Sequence, residues 1–287
     1  MQIKKNVNWP HYVVNMVVLV GAVICFFLKF ANLKNLFEVK SIYVYLLLIF
    51  TVVLVQSIKA LRLFLIFYGQ GLPLKEHLSI YCKVTAVNIV FPFKLGELFR
   101  MYCYGEKFNN YPISAVGILL DRAVDTIAIL VFIVLECLCT GKLINRVFCW
   151  LFLFLTVVSL IYIMFPRLYA FWNRYFLTQK PSDHKLLSLK ILKQLKITYD
   201  KIKNIIHGRG TILISLSLLA WAIEFGSVMF LTKFVDISDV NTSFYSYLSG
   251  AITDVQPEFF PNFVFVTIVA LALIYTSLKI IKFCKRG

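Results

Sequence analysis

The sequence predicts an all-α fold: a polytopic bundle of about six transmembrane helices plus one re-entrant broken helix, forming a single integral membrane domain over residues 1–287. Three observations carry that prediction. First, 60% of the residues are hydrophobic and only 15% charged, with a mean hydropathy of +0.80. Soluble domains run at roughly 45–50% apolar and 25% charged, so the composition argues against a soluble globule, a disordered chain and a collagen-like fibre. Second, apolar runs recur at the ~20-residue length that a helix needs to cross a hydrocarbon core of about 30 Å. Third, the 30 Lys+Arg against 14 Asp+Glu, a formal charge of +16, gather at the ends of those runs, which is the orientation bias of membrane proteins. Topology and attraction to anionic lipid head groups account for the basic excess, and no nucleic-acid partner is expected.

The elements follow in order. Residues 12–30 form the first span; its apolar run is too long for a signal peptide, and no small-x-small cleavage site follows. Residues 42–67 form the second. Residues 77–104 differ: the stretch is moderately apolar from Leu78 to Phe93, then breaks at Phe91-Pro92-Phe93-Lys94-Leu95-Gly96-Glu97. Pro removes a donor and Gly loosens the backbone, so Pro92 and Gly96 predict a helix break and Glu97 and Arg100 open a return limb. Broken backbone at membrane depth requires burial in protein or a wet cavity. The remaining spans cover about 112–138, 147–165, 211–235 and 263–281.

Between the fourth and fifth spans, residues 166–210 carry ten Lys and Arg against Asp183 and Asp200. That loop, the N-terminus with Lys4 and Lys5, and the C-terminus with Lys282, Lys285 and Arg286 are therefore expected to be cytoplasmic. They fall on one side only if residues 77–104 do not cross. The 236–262 loop, which has four carboxylates and no Lys or Arg, is expected outside. Within the basic loop, Leu192, Leu195, Tyr199, Ile202 and Ile206 recur at helical spacing, predicting an amphipathic cytoplasmic helix over about 186–206. It suits an interface with anionic lipid or the docking of a partner. A multi-pass plasma-membrane protein is expected. The seven Cys and four His show no ligand spacing, so no metal or cofactor is expected.

Ionisable groups inside spans are the informative residues, since each costs about 2.5–3.5 kcal/mol near the bilayer centre on insertion scales. Asp121 lies nine residues after Pro112, about 13–14 Å along the helix. Asp121 and Asp125 share a face at i,i+4; Arg122 and Asp125 can pair at i,i+3, while the neighbours Asp121 and Arg122 are expected to point apart. One carboxylate thus needs a cation from elsewhere, and Arg62, Lys94 and Arg100 are the candidates. The expected polar centre comprises Arg62, Lys94, Glu97, Arg100, Asp121, Arg122 and Asp125, with Glu224 near it. Counted as ionised, these seven sum to +1.

Lys59-Ala-Leu-Arg62, then Asn88-Ile-Val-Phe-Pro92-Phe-Lys94-Leu-Gly96-Glu97-Leu-Phe-Arg100, then Asp121-Arg122-Ala-Val-Asp125 resemble the lysylphosphatidylglycerol synthase transmembrane region. This is the flippase-like domain that stands beside the catalytic half of the multiple peptide resistance factor. Asp121 stands where that family usually has Glu. In the second half, residues 248–261 keep prolines and a glutamate but not the family's glycine run. The resemblance implies a flippase-like protein that binds or translocates an anionic or lipid-linked phospholipid-type substrate, with the seven residues above as its site. A second reading is a non-transporting scaffold that holds a separate glycosyltransferase or lipid-modifying enzyme. A chemistry of its own is not expected: there is no P-loop, no nucleophile set and no metal cluster.

Overall fold

The computed structural model describes residues 9–29, 42–91, 95–140, 146–178, 183–234 and 260–284. Among the described residues there are eight helices and no strands: α1 (Trp9–Lys29), α2 (Ile42–Phe67), α3 (Leu74–Val90), α4 (Leu95–Phe108), α5 (Tyr111–Thr140), α6 (Arg146–Thr178), α7 (Asp183–Phe234) and α8 (Phe260–Cys284). This is the expected all-α polytopic bundle. Pro92 and Lys94 lie outside the described residues, as does the 236–259 part of the acidic loop.

The turns between helices have local causes. Gly69 and Gly71 take positive φ, 93° and 74°, where a Cβ would be strained, and Pro73 caps α3 in extended backbone. Between α4 and α5, Asn109 adopts φ 50°, a left-handed conformation that Asn tolerates. Asn110 then accepts a hydrogen bond from the Ile113 amide at 3.2 Å, capping α5.

α3 and α4 form an antiparallel helical hairpin. At its closed end the Asn88 amide donates to Glu97 at 3.0 Å. Midway Arg100 donates to Thr85 at 3.0 Å, and at its open end Lys107 pairs with Glu76. Gly96 makes the hairpin possible: a Cβ there would sit 2.2 Å from the Asn88 Cα.

The contacts also fix helix directions. Leu48 and Val52 of α2 pack with Val266 and Ala270 of α8, so these two run parallel. Lys59–Glu224, Arg62–Ser217 and Arg209–Leu65 run down α2 as they run back along α7, so this pair is antiparallel. His11 of α1 bonds Tyr102 of α4, and Phe67 stacks on Tyr104 at 5.0 Å. The start of α1, the end of α2 and the open end of the hairpin therefore share one side of the bundle.

Two expectations are corrected. The helix of the fourth span does not stop at Phe165: α6 continues through Pro166 to Thr178. Nor is the 186–206 helix separate from the fifth span. Both belong to α7, a helix of 52 residues, about 78 Å long at 1.5 Å per residue. No Pro interrupts it, and the glycines at the junction, Gly208 and Gly210, meet nothing closer than 3.7 Å. By length and composition five described helices can cross a membrane, α1, α2, α6, α7 and α8. The expected span at 112–138 is α5, a helix of 30 residues that carries Asp121, Arg122 and Asp125 in its interior.

Candidate functional site

Two polar stripes build the hairpin's half of the site. On α3, His77, Tyr81, Thr85 and Asn88 recur at i, i+4, i+8 and i+11, hence on one face. On α4, Glu97, Arg100 and Tyr104 do the same at i, i+3 and i+7. The faces meet: besides the two bonds already given, Arg100 lies over the Tyr81 ring at 5.6 Å. Tyr104 donates to His77 Nδ1 at 3.2 Å, and His77 Nε2 donates to the Ala60 carbonyl at 3.0 Å, tying the hairpin to α2.

The other half comes from α2, α5 and α7. Arg62 is fully buried and its fork is spent on three partners. Nε donates to Asp121 at 2.8 Å, and Nη1 donates to Asp125 at 2.7 Å and to the Ser217 hydroxyl at 2.7 Å. Asp125 Oδ1 also accepts from Ser217 at 3.0 Å and from the Trp221 indole at 2.9 Å. A guanidinium with a carboxylate on each side is the arrangement that makes a buried ion tolerable.

The two halves join at four residues, Glu97 and Arg100 of α4 with Asp121 and Arg122 of α5. Arg122 Nη2 donates to Asp121 Oδ2 at 3.0 Å. The neighbours expected to point apart are thus in contact, because the long Arg side chain curls back across the helix surface. Arg122 Nε also lies 3.5 Å from Glu97, and Arg100 Nη1 lies 3.8 Å from Glu97 and 3.7 Å from Asp121. The expected Arg122–Asp125 pair is present at a long 3.7 Å. Six of the seven candidate residues therefore occupy one cluster; the seventh, Lys94, lies outside the described residues.

The charge count changes accordingly. Among the described members, Arg62, Arg100 and Arg122 face Glu97, Asp121 and Asp125, and the cluster is formally neutral. The +1 expected from sequence rested on Lys94. Satisfaction is uneven: Arg100 Nε and Nη1, Arg122 Nε and Glu97 Oε2 are buried without a hydrogen bond among the described residues. The Arg122 side chain is 37% exposed, against 2% for Asp121, so the cluster opens at Arg122.

Glu224 pairs instead with Lys59 at 2.6 Å, and Lys59 lies 5.1 Å from the Trp221 ring centre, which links this pair to Asp125. Sequence reasoning quoted Lys59 and Asn88 only as parts of motifs and did not single out Ser217, Trp221 or Thr85. The signal was present: Ser217, Trp221 and Glu224 form an i, i+4, i+7 polar stripe in an apolar span, as the α3 residues do in theirs. Among the described residues no group of three or more His, Cys, Asp or Glu could hold a metal ion.

The family model for the lysylphosphatidylglycerol synthase TM region matches residues 13–256, and every member of the cluster falls within that range. The chain belongs to this family. No curated protein and no solved structure matches it.

Proposed function

We propose that this membrane protein binds an anionic phospholipid or a lipid-linked phosphate at the Arg100–Arg122 cluster and carries it between leaflets. One observation carries the reading: the hairpin brings Arg100 against α5, where three guanidinium nitrogens, Arg100 Nε and Nη1 and Arg122 Nε, are buried without a hydrogen bond among the described residues. Unmade hydrogen bonds of a buried charge cost roughly 1–3 kcal/mol each. Phosphate oxygens satisfy such donors in the bidentate geometry for which Arg is suited. Glu97 holds both arginines at 3.5–3.8 Å, beyond hydrogen-bond length, and is the partner that yields. Arg62 stays engaged as the fixed pivot. A phosphodiester adds about one negative charge to a neutral cluster; the reading assigns its balance to Lys94, one residue before α4 begins. Broken helices beside a buried charged centre are the site architecture of secondary transporters.

The test is lipid scrambling in proteoliposomes, wild type against Arg100→Ala. Flux in the wild type, lost in the variant while the purified protein stays monodisperse, is the expected result. Equal flux in both, or none in the wild type, overturns the reading. A scaffold for a separate lipid- or glycan-modifying enzyme is favoured by one observation: the basic end of α7 continues past the end of α2, beyond the Lys201–Gln70 contact. That reading expects no flux in either protein and co-purification of an enzyme that is lost when residues 183–200 are replaced.

A further inference from the structure

A second basic site lies away from the Arg100–Arg122 cluster, between α6 and the first half of α7. Tyr199 packs against Phe165 at 4.8 Å and Tyr162 at 5.1 Å between ring centres. Below this contact the helices enclose a cleft of about 640 Å³, whose lining includes Tyr169, Asn173, Arg174, Lys196, Tyr199 and Asp200. Lys196 Nζ sits 4.7 Å from the centre of the Tyr169 ring. Among the described residues no salt bridge reaches Arg174 or Lys196, although Asp200 shares the cleft. Two cations therefore face one carboxylate, and the cleft carries a formal +1.

Its level in the membrane follows from α6. The apolar run 147–165 is about 28 Å long at 1.5 Å per residue, matching a hydrocarbon core of about 30 Å. The cleft begins at Phe165 and Pro166, where that run ends. The rings beside it, Phe171, Trp172 and Tyr175, are exposed, with Arg174 interleaved among them and Arg167 one turn before. Aromatic rings with interleaved Arg mark the head-group layer.

We infer that this cleft seats the phosphate head group of an anionic phospholipid of the adjoining leaflet. Arg174 and Lys196 contact the phosphate, Asn173 contributes an amide donor, and Tyr169 and Tyr199 flank the glycerol, with the acyl chains lying along the apolar part of α6. The site is separate from the cluster in the proposed function and does not rest on it.

The experiment is native mass spectrometry of the detergent-purified full chain titrated with phosphatidylglycerol, with phosphatidylcholine as the neutral control. Arg100→Ala protein serves as host, so that the cluster's own contribution is removed. In that host, Arg174→Gln/Lys196→Gln weakens phosphatidylglycerol binding about thirtyfold, from two surface cations. The charge-keeping pair Arg174→Lys/Lys196→Arg retains it, and phosphatidylcholine is unaffected. The inference is overturned if Arg100→Ala alone abolishes the binding, if the glutamine pair binds as before, or if the charge-keeping pair loses as much as the glutamine pair. Full displacement of the lipid by millimolar inorganic phosphate would likewise sink it, by assigning the cleft to a free anion.

Discussion

Asp125→Ala tests whether the buried cluster holds the bundle together. The carboxylate receives Arg62, Ser217 and Trp221, all on Oδ1, at 2.7, 3.0 and 2.9 Å. Truncating it leaves Arg62 with Asp121 and Ser217 only, and leaves a buried indole N–H without its acceptor. Removing one partner of a buried ion pair costs about 3–5 kcal/mol. Polar contacts between transmembrane helices average only about 0.6 kcal/mol in double-mutant cycles. The two figures decide between a structural keystone and an ordinary contact. With about 2–4 °C per kcal/mol for a chain of this size class, the keystone predicts a fall in detergent Tm of about 6–20 °C. The double variant Arg62→Met/Asp125→Ala removes the charge together with its partner and should recover at least half of that loss, because an apolar pair of similar volume replaces a buried ion pair at little cost. A fall of only 1–3 °C, as about 0.6 kcal/mol would give, or a double variant no more stable than the single, refutes the reasoning.

Gly96→Ala puts a methyl into the Asn88 backbone, 2.2 Å away, and should leave the hairpin unfolded, read as loss of the monodisperse peak on gel filtration; Gly208→Ala, with nothing within 4 Å, should behave as wild type. Lys59→Met removes the 2.6 Å contact with Glu224 and should lower stability by about 1–2 kcal/mol. The reversal Lys59→Glu/Glu224→Lys should regain part of it in the same melt, and no recovery would mean that the pair does not interact. Cysteines placed at 107 and 190, on a background without the native cysteines, should react with an impermeant maleimide from the same face of the membrane. Labelling from opposite faces would break the hairpin topology.

The candidate cluster was legible to different depths. Asp121, Arg122 and Asp125 stood out because charges inside a 30-residue helix are costly and therefore conspicuous. Glu97 and Arg100 stood out because they follow a Pro and a Gly. Ser217, Trp221 and Thr85 did not, since hydroxyls and indoles are unremarkable in an apolar helix until a charge is seen beside them. The continuity of α7 was hidden for a related reason. Its basic amphipathic half and its apolar half have different compositions, yet residues 207–211 contain no Pro and no capping break, so the backbone runs straight through.

Composition, span length, Lys/Arg placement and the Pro and Gly of the 91–97 stretch determined the class of protein, the approximate spans and the division of 77–104 into two helices, because each depends on residues that are neighbours along the chain. Helical periodicity also determined which polar residues share a face. Only the tertiary structure decided which faces meet. Arg62 reaches Asp121 and Asp125 across 59 and 63 residues, and Lys59 reaches Glu224 across 165. A 3.6-residue period gives a side chain's angle around its own helix but carries no information about the rotation or depth of the helix opposite. Those are set by packing, as where Phe67 occupies the space a Cβ at Gly117 would need, at 2.4 Å. For the same reason Arg62, which sequence offered as one of three cations for Asp121, is the one the fold buries between both carboxylates.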